Sequence, residues 1–420
     1  MDKKLASPKN AAIYGVLFWV ALYLMAPISY TYPFNFISIA LLVSCYLLFF
    51  LGYFIGIKVK LLDYPIDMPK EKKWLFYFFF IISLISILLL ILDKFILRGA
   101  SLSQGAFANR EILANAPPTI LGIIGNFIRA SVFLTLFLYF KLRINHKRLL
   151  IISYSFLFYF ILESFLTGSR AIPVFYSVLT LLILFHFKLL RFKMKNFLVL
   201  LALGLVFFVI LTEIFISRTM EFMGTRERAI EFILMKGSYM DYTILDKSFI
   251  TFILSINSFY IQSFFVGLAS FYTYYLHSIV EFSYLIDHFD APSQFGSHTF
   301  FVIFKFFELI FGGFDGRAYN YIPRPGKYIT FFGDIYMDFK GWAVIFMFLF
   351  GYWQARIYKT AITKSNFTVI PLILFLCILN FLFPVFNLIS GGNGIYLIIG
   401  FLFMSYTYKL LSYITVNTKK

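Results

Sequence analysis

Residues 74–93 read WLFYFFFIISLISILLLILD, and no charge interrupts them before Asp93. At 1.5 Å of rise per residue, a helical run of about 20 residues crosses the roughly 30 Å hydrocarbon layer of a bilayer. A membrane β-strand would be shorter and would alternate polar with apolar residues, which this stretch does not do. Comparable runs recur at 11–29, 34–57, 119–140, 149–166, 171–188, 197–216, 342–358, 367–387 and 394–412. Residues 249–287 and 299–313 are also largely apolar but harder to divide.

Bulk composition agrees. The 420 residues are 61% hydrophobic and 14% charged, whereas a soluble globule is about 45–50% apolar and about 25% charged. The fold class expected is therefore all-α, a polytopic helical bundle of 10–12 transmembrane helices; the range depends on whether 249–313 crosses twice or not at all. No polar segment is large enough for a core of its own, so 1–420 reads as a single transmembrane domain. No small-residue cleavage signature follows the first run, so 11–29 is expected to stay as a helix.

The net charge of +17 sits mostly in short clusters beside apolar runs, which suits anionic membrane lipids as partners and not nucleic acid. Clusters at Lys3/Lys4/Lys9, Lys58/Lys60, Lys141–Arg148 and Lys188–Lys195 recur after every second run. The positive-inside rule then places both termini in the cytoplasm. Residues 30–33, 94–118, 167–170, 217–248 and 314–341 face the other side. Within 217–248, Ala229, Ile230, Ile233 and Leu234 share one helical face, so this segment reads as an amphipathic helix on the membrane or capping the bundle. Gly52 and Gly56 have the GxxxG spacing that permits close helix packing. Cys45 and Cys377 lie in apolar runs and read as buried hydrophobes, not as a disulfide or a metal site.

The longest polar interruption is 314–341, FDGRAYNYIPRPGKYITFFGDIYMDFKG, with Pro323 and Pro325 bracketing Arg324. Two prolines two residues apart exclude helix interior there. Other charges need a reason. Arg170 closes the Thr167-Gly168-Ser169-Arg170 tip, and Glu163 stands two turns before it. His277 and Glu281 are spaced i,i+4 on one helix face, a cavity-facing pair that is not a HExxH metal motif. No nucleotide-binding loop is present and no metal or cofactor is called for. Cations on short tethers at the outer face suit a lipid-linked anionic headgroup that arrives laterally from the bilayer.

The TGSR tip, YYLHSIVEFSYLIDHF (274–289), GSHTFFVIFKFFELIFG (296–312) and PRPGKY followed by TFFGDIYMDFKGWAVIFMFLF (323–350) resemble the bacterial O-antigen and capsule repeat-unit polymerases, the Wzy family. The resemblance implies an inner-membrane glycosyltransferase with a GT-C-like fold and a periplasmic site. Its partners would be undecaprenyl-diphosphate-linked oligosaccharides and a polysaccharide chain-length regulator. The growing glycan would pass from its lipid diphosphate to the nonreducing end of an incoming unit. Arg170 and Arg324 match the arginines that hold the diphosphates, and Arg317 matches more loosely. Asp334, Asp338 and His298 are the candidates for the base, although Asp338 also suits the head of the next helix. The competing functions are a repeat-unit flippase or other transporter, which internal duplication would favour, and an O-antigen ligase; no duplication is visible.

Overall fold

Asn35 shows how the chain turns its apolar runs into helices. Its side-chain oxygen accepts a hydrogen bond from the Ile37 amide at 2.7 Å, satisfying a donor that the first turn leaves unpaired, and helix runs from there to Lys58. The computed structural model describes residues 5–60, 71–101, 103–117, 119–167, 171–190, 194–237, 239–312, 322–363, 366–390 and 392–417.

The helices in chain order are α1 (Pro8–Met25), α2 (Phe36–Lys58), α3 (Lys73–Ile91, prolonged by a π-helical turn), α4 (Ala106–Asn115), α5 (Ile120–Ile128) and α6 (Ala130–Lys141). Then come α7 (Lys147–Thr167), α8 (Ala171–His186), α9 (Met194–Met223), α10 (Arg226–Met235), α11 (Lys247–Leu254) and α12 (Phe259–His288). The last are α13 (Phe301–Phe311), α14 (Thr330–Phe339), α15 (Ala343–Thr363), α16 (Ile370–Phe381) and α17 (Gly392–Asn417).

Among the described residues, six helical stretches are long and apolar enough to cross a membrane: Phe36–Lys58, Lys73–Leu97, Ile120–Lys141, Met194–Met223, Thr330–Thr363 and Gly394–Tyr413. Shorter apolar helices lie at Ile172–His186 and Phe367–Phe381. The protein is a multi-pass helical membrane protein.

One end of the bundle is closed by a ribbon that the apolar periodicity did not announce. Strand β1 (Ile28–Tyr30), in the α1–α2 connection, pairs antiparallel with β2 (Thr243–Leu245). The pairing extends through Thr31 N–H to the Tyr242 carbonyl at 3.1 Å and Asp246 N–H to the Pro27 carbonyl at 3.0 Å. Beside it, α10 buries Ala229, Ile230, Ile233 and Leu234 in a small core shared with Leu245, Ile253 and Val266. These are the four residues the sequence placed on one face.

The 30-residue α12 runs from Phe259 to His288 and packs against the ribbon strand β2. Near its start, the Arg226 guanidinium lies 3.9 Å above the Phe259 ring; near its finish, Asp287 takes hydrogen bonds from Tyr32 and Asn35. Among the described residues, α12 is not one of the six helical stretches long and apolar enough to cross a membrane.

Deeper in, helix gives way to irregular backbone at two places that face each other. Helix α16 stops at Phe381, inside the run read as a span over 367–387, and α14 starts at Thr330, inside the stretch read as a loop over 314–341. The apolar face of α14 explains the second departure: Phe331, Phe332, Ile335 and Met337 are all buried. Phe331 N–H donates to the Phe383 carbonyl at 2.9 Å, and Thr330 bridges Phe386. Phe332 meets Tyr46, midway along α2, with ring centroids 4.8 Å apart, so this junction lies near half depth.

Helices α2 and α15 clasp each other through glycine. A Cβ on Gly52 would stand 2.0 Å from the Phe348 carbonyl oxygen, and one on Gly351 would stand 2.1 Å from that of Phe49. Gly56 faces Tyr352 and Ala355 in the same way. Replacing Gly52 or Gly351 with Leu is expected to lower the thermal midpoint of the detergent-solubilised protein, since forcing volume into a packed contact costs about 1–3 kcal/mol or more. Gly204→Leu, at a position with open space around it, is expected to leave the midpoint in place. Equal effects at all three positions would contradict the clasp.

Candidate functional site

His277, Glu281, Tyr284 and His288 follow one another at intervals of four, three and four residues, so α12 presents them on one face. Toward that face come residues 239–242, just before β2, and residues 322–328, where Pro323 and Pro325 fix the backbone on either side of Arg324. The Arg324 guanidinium is ion-paired with Asp241, and its Nε lies 3.4 Å from Glu281 Oε2. Lys327 Nζ reaches the same Asp241 oxygen at 2.6 Å. The guanidinium also lies 4.2 Å from the centre of the Tyr242 ring and 5.6 Å from that of Tyr284. Two cations and two carboxylates thus converge inside a wall of tyrosines.

The two carboxylates differ in surroundings. Asp241 is half exposed, with 50% of its side-chain surface open, whereas Glu281 is buried. Burial pushes the Glu281 carboxyl up to about 7, against the opposing pull of Arg324 and Lys327. Burial drives His277 the other way, down to about 3, so its ring is neutral. Its Nδ1–H donates to the Thr273 carbonyl at 2.9 Å. That leaves Nε2 as a buried acceptor with no hydrogen bond among the described residues. The His277 ring sits 4.3 Å from Tyr239, Tyr239 stacks on Tyr328 at 5.7 Å, and Tyr328 reaches Phe386 at 5.0 Å. The site therefore rests on the half-depth junction.

The three residues read as candidate bases lie elsewhere, at the joint between α13 and α14. Asp338 is fully buried, and its two carboxylate oxygens accept the His298 amide at 2.9 Å and the Thr299 amide at 2.7 Å. Its carbonyl accepts from the Phe295 amide at 2.9 Å. Asp338 thus anchors the turn before α13, a structural task unlike capping the helix that follows it. His298 Nε2 meets Asp334 Oδ1 at 3.0 Å, and both side chains are buried. Close by, Lys340 Nζ donates to the Phe289 carbonyl at 2.8 Å over the face of that ring.

Glu163 belongs to a second charged cluster. It pairs with Lys94 in the π-helical turn after α3. Next to Lys94, Asp93 accepts from the Thr119 hydroxyl at 2.6 Å and lies 3.8 Å from Arg98. Arg129, buried at the break between α5 and α6, stands 5.8 Å from the Phe160 ring and 5.6 Å from the Tyr176 ring. Arg129 is not among the residues that the sequence motifs single out, although an arginine ten residues into an apolar run is itself a signal of a polar interior. Adjacent residues of α8 connect the two clusters: Tyr176 faces Arg129, and Phe175 touches Phe386 at 5.8 Å. Arg170 and Arg317 lie outside the described residues.

No family model, curated protein or solved structure matches this chain. Asp338→Ala would strip two buried amides of their acceptor at about 1–3 kcal/mol each. It is therefore expected to lower the thermal midpoint in detergent, whereas Asp241→Ala, at an exposed carboxylate, is not. A stable Asp338→Ala protein would show that the joint does not depend on that side chain.

Proposed function

We propose that this protein polymerises lipid-linked oligosaccharide repeat units, with the Arg324 cluster as the seat of the transferring diphosphate. The observation that carries the reading is the meeting of Arg324 and Lys327 with a buried carboxylate, Glu281, at one end of a membrane bundle. In the wider reading that end is periplasmic, the bundle is GT-C-like with 10–12 spans, and the lipid carrier is undecaprenyl diphosphate.

The chemistry divides among these residues. An acceptor hydroxyl attacks the anomeric carbon at the reducing end of the growing glycan. The bond from that carbon to the diphosphate oxygen breaks, and its electron pair leaves with the diphosphate. Arg324 and Lys327 balance the charge that develops on the leaving group; a planar guanidinium suits phosphate oxygens because it offers several donors in one fork. Without ligand, Asp241 holds the two cations, and the incoming anion takes its place. The acceptor proton passes to Glu281, among the described residues the buried carboxylate beside Arg324. A base held near neutrality is matched to this work. The His298–Asp334 pair and Asp338 would support the joint beside the site instead of taking that proton.

Deletion in the native host separates the candidate functions. Surface glycan capped with single repeat units is the outcome expected of a polymerase. Complete loss of surface repeat units would indicate a ligase or a flippase, and normal glycan would exclude all three. Arg324→Ala is expected to reduce polymer at least 100-fold, the scale of removing one preorganised charge partner, with protein levels unchanged. Because Glu281 must be deprotonated to accept the proton, kcat/KM is expected to rise with pH through about 7 and then level off. Glu281→Gln should be low at every pH. A Glu281→Gln enzyme with wild-type rate and pH profile would remove that residue from the role.

A further inference from the structure

Around Arg324 the aromatic side chains are not distributed like an interfacial belt. Belt residues stand around the circumference of a bundle, each facing lipid. Here Tyr32, Tyr242, Tyr284 and His288, drawn from three separate segments, gather at the ribbon end and pack on one another. Tyr284 stacks on His288 with centroids 4.0 Å apart and planes 16° from parallel. Tyr242 lies 5.2 Å from Tyr284, and Tyr32 lies 5.1 Å from Tyr242. The three tyrosines are half-buried, and His288, outermost on α12, is exposed.

Polar groups border the rings in fixed positions. Asp287 is exposed, yet each of its carboxylate oxygens already accepts one hydrogen bond, from the Tyr32 hydroxyl and from the Asn35 amide. Each oxygen keeps a second lone pair. A carboxylate oriented in advance beside ring faces suits a ligand that is apolar on one face and hydroxylated at its edge. A pyranose has that character, with axial C–H groups to lay on a ring and vicinal hydroxyls for a planar acceptor. Arg324, over the Tyr242 ring, joins this surface to the cation cluster.

We propose that Tyr32, Tyr242, Tyr284 and His288, edged by Asp287, form a sugar-binding platform that holds the glycan next to the diphosphate seat. This deepens the polymerase reading and rests on it for the identity of the sugar. The platform presents no charge to balance a phosphate, so it takes the oligosaccharide itself, freed of lipid and diphosphate.

The test is saturation-transfer NMR on the full-length protein in detergent, with the host's surface-glycan repeat unit released as a free oligosaccharide by mild acid. Irradiation of aromatic protons is expected to transfer saturation to sugar ring protons. The transfer should fall at least fivefold in Tyr284→Ala and in His288→Ala, the latter a change at an exposed ring that leaves the core intact. Glu281→Gln should bind the oligosaccharide as wild type does while forming no polymer, which separates this platform from the proton-accepting role. Transfer to detergent alone, or transfer unchanged in both ring variants, would overturn the platform whether or not the protein is a polymerase. If deletion leaves surface glycan normal while the oligosaccharide still binds through these rings, the polymerase reading fails and the platform stands.

Discussion

Backbone that leaves the helix inside hydrocarbon must find its hydrogen bonds within the protein, because no water is there to supply them. The junction of 328–331 with 382–386 meets that demand: the Phe331 amide is taken by the Phe383 carbonyl, and Thr330 bridges Phe386. Much else depends on this meeting. It allows α14 to begin and α16 to end near half depth, and broken helices of this kind are how membrane proteins make room for polar ligands. The close clasp of α2 with α15 holds the surrounding wall, and Asp338 fastens the far end of α14 to the turn before α13.

The polar cluster stands on that platform of irregular backbone. Phe386 supports Tyr328, Tyr328 supports Tyr239, and Tyr239 lies against His277, one turn before Glu281 on α12. Burial acts oppositely on these two titratable groups, because it disfavours whichever form is charged. It makes the histidine a neutral acceptor and the glutamate a carboxyl poised near neutral pH. Arg324 and Lys327 face them with fixed positive charge. In the proposed reaction the acceptor proton passes to the buried Glu281, and the incoming anion displaces the half-exposed Asp241 from Arg324 and Lys327.

Much of this was legible in the sequence. The apolar runs marked the helices, the i,i+4 spacing brought His277 and Glu281 to one face, and the 3.6-residue period picked out the four residues that α10 buries. GxxxG at Gly52 and Gly56 pointed to a close helix contact, although its partner glycine, Gly351, stood alone in its run. What escaped has physical reasons. Strands of three residues are too short to show alternation, so the β1–β2 ribbon left no signature. Apolar residues run through α11, α12 and α13 alike, so composition did not divide 249–313. Helix breaks at half depth are set by a backbone partner far away in the chain, and no local pattern marks them. Asp338 and Asp334 drew attention as charges in a polar stretch, yet Asp338 serves backbone amides and Asp334 pairs with His298, contacts that appear only when α13 and α14 fold together.

The most direct measurement is reconstitution of the purified protein in liposomes with a single substrate, the repeat-unit oligosaccharide on undecaprenyl diphosphate. The account predicts lipid-linked products two or more units long, with one undecaprenyl diphosphate released per bond formed and no added metal or nucleotide required. Recovery of the single-unit substrate unchanged, from protein that is folded and correctly inserted, would contradict it.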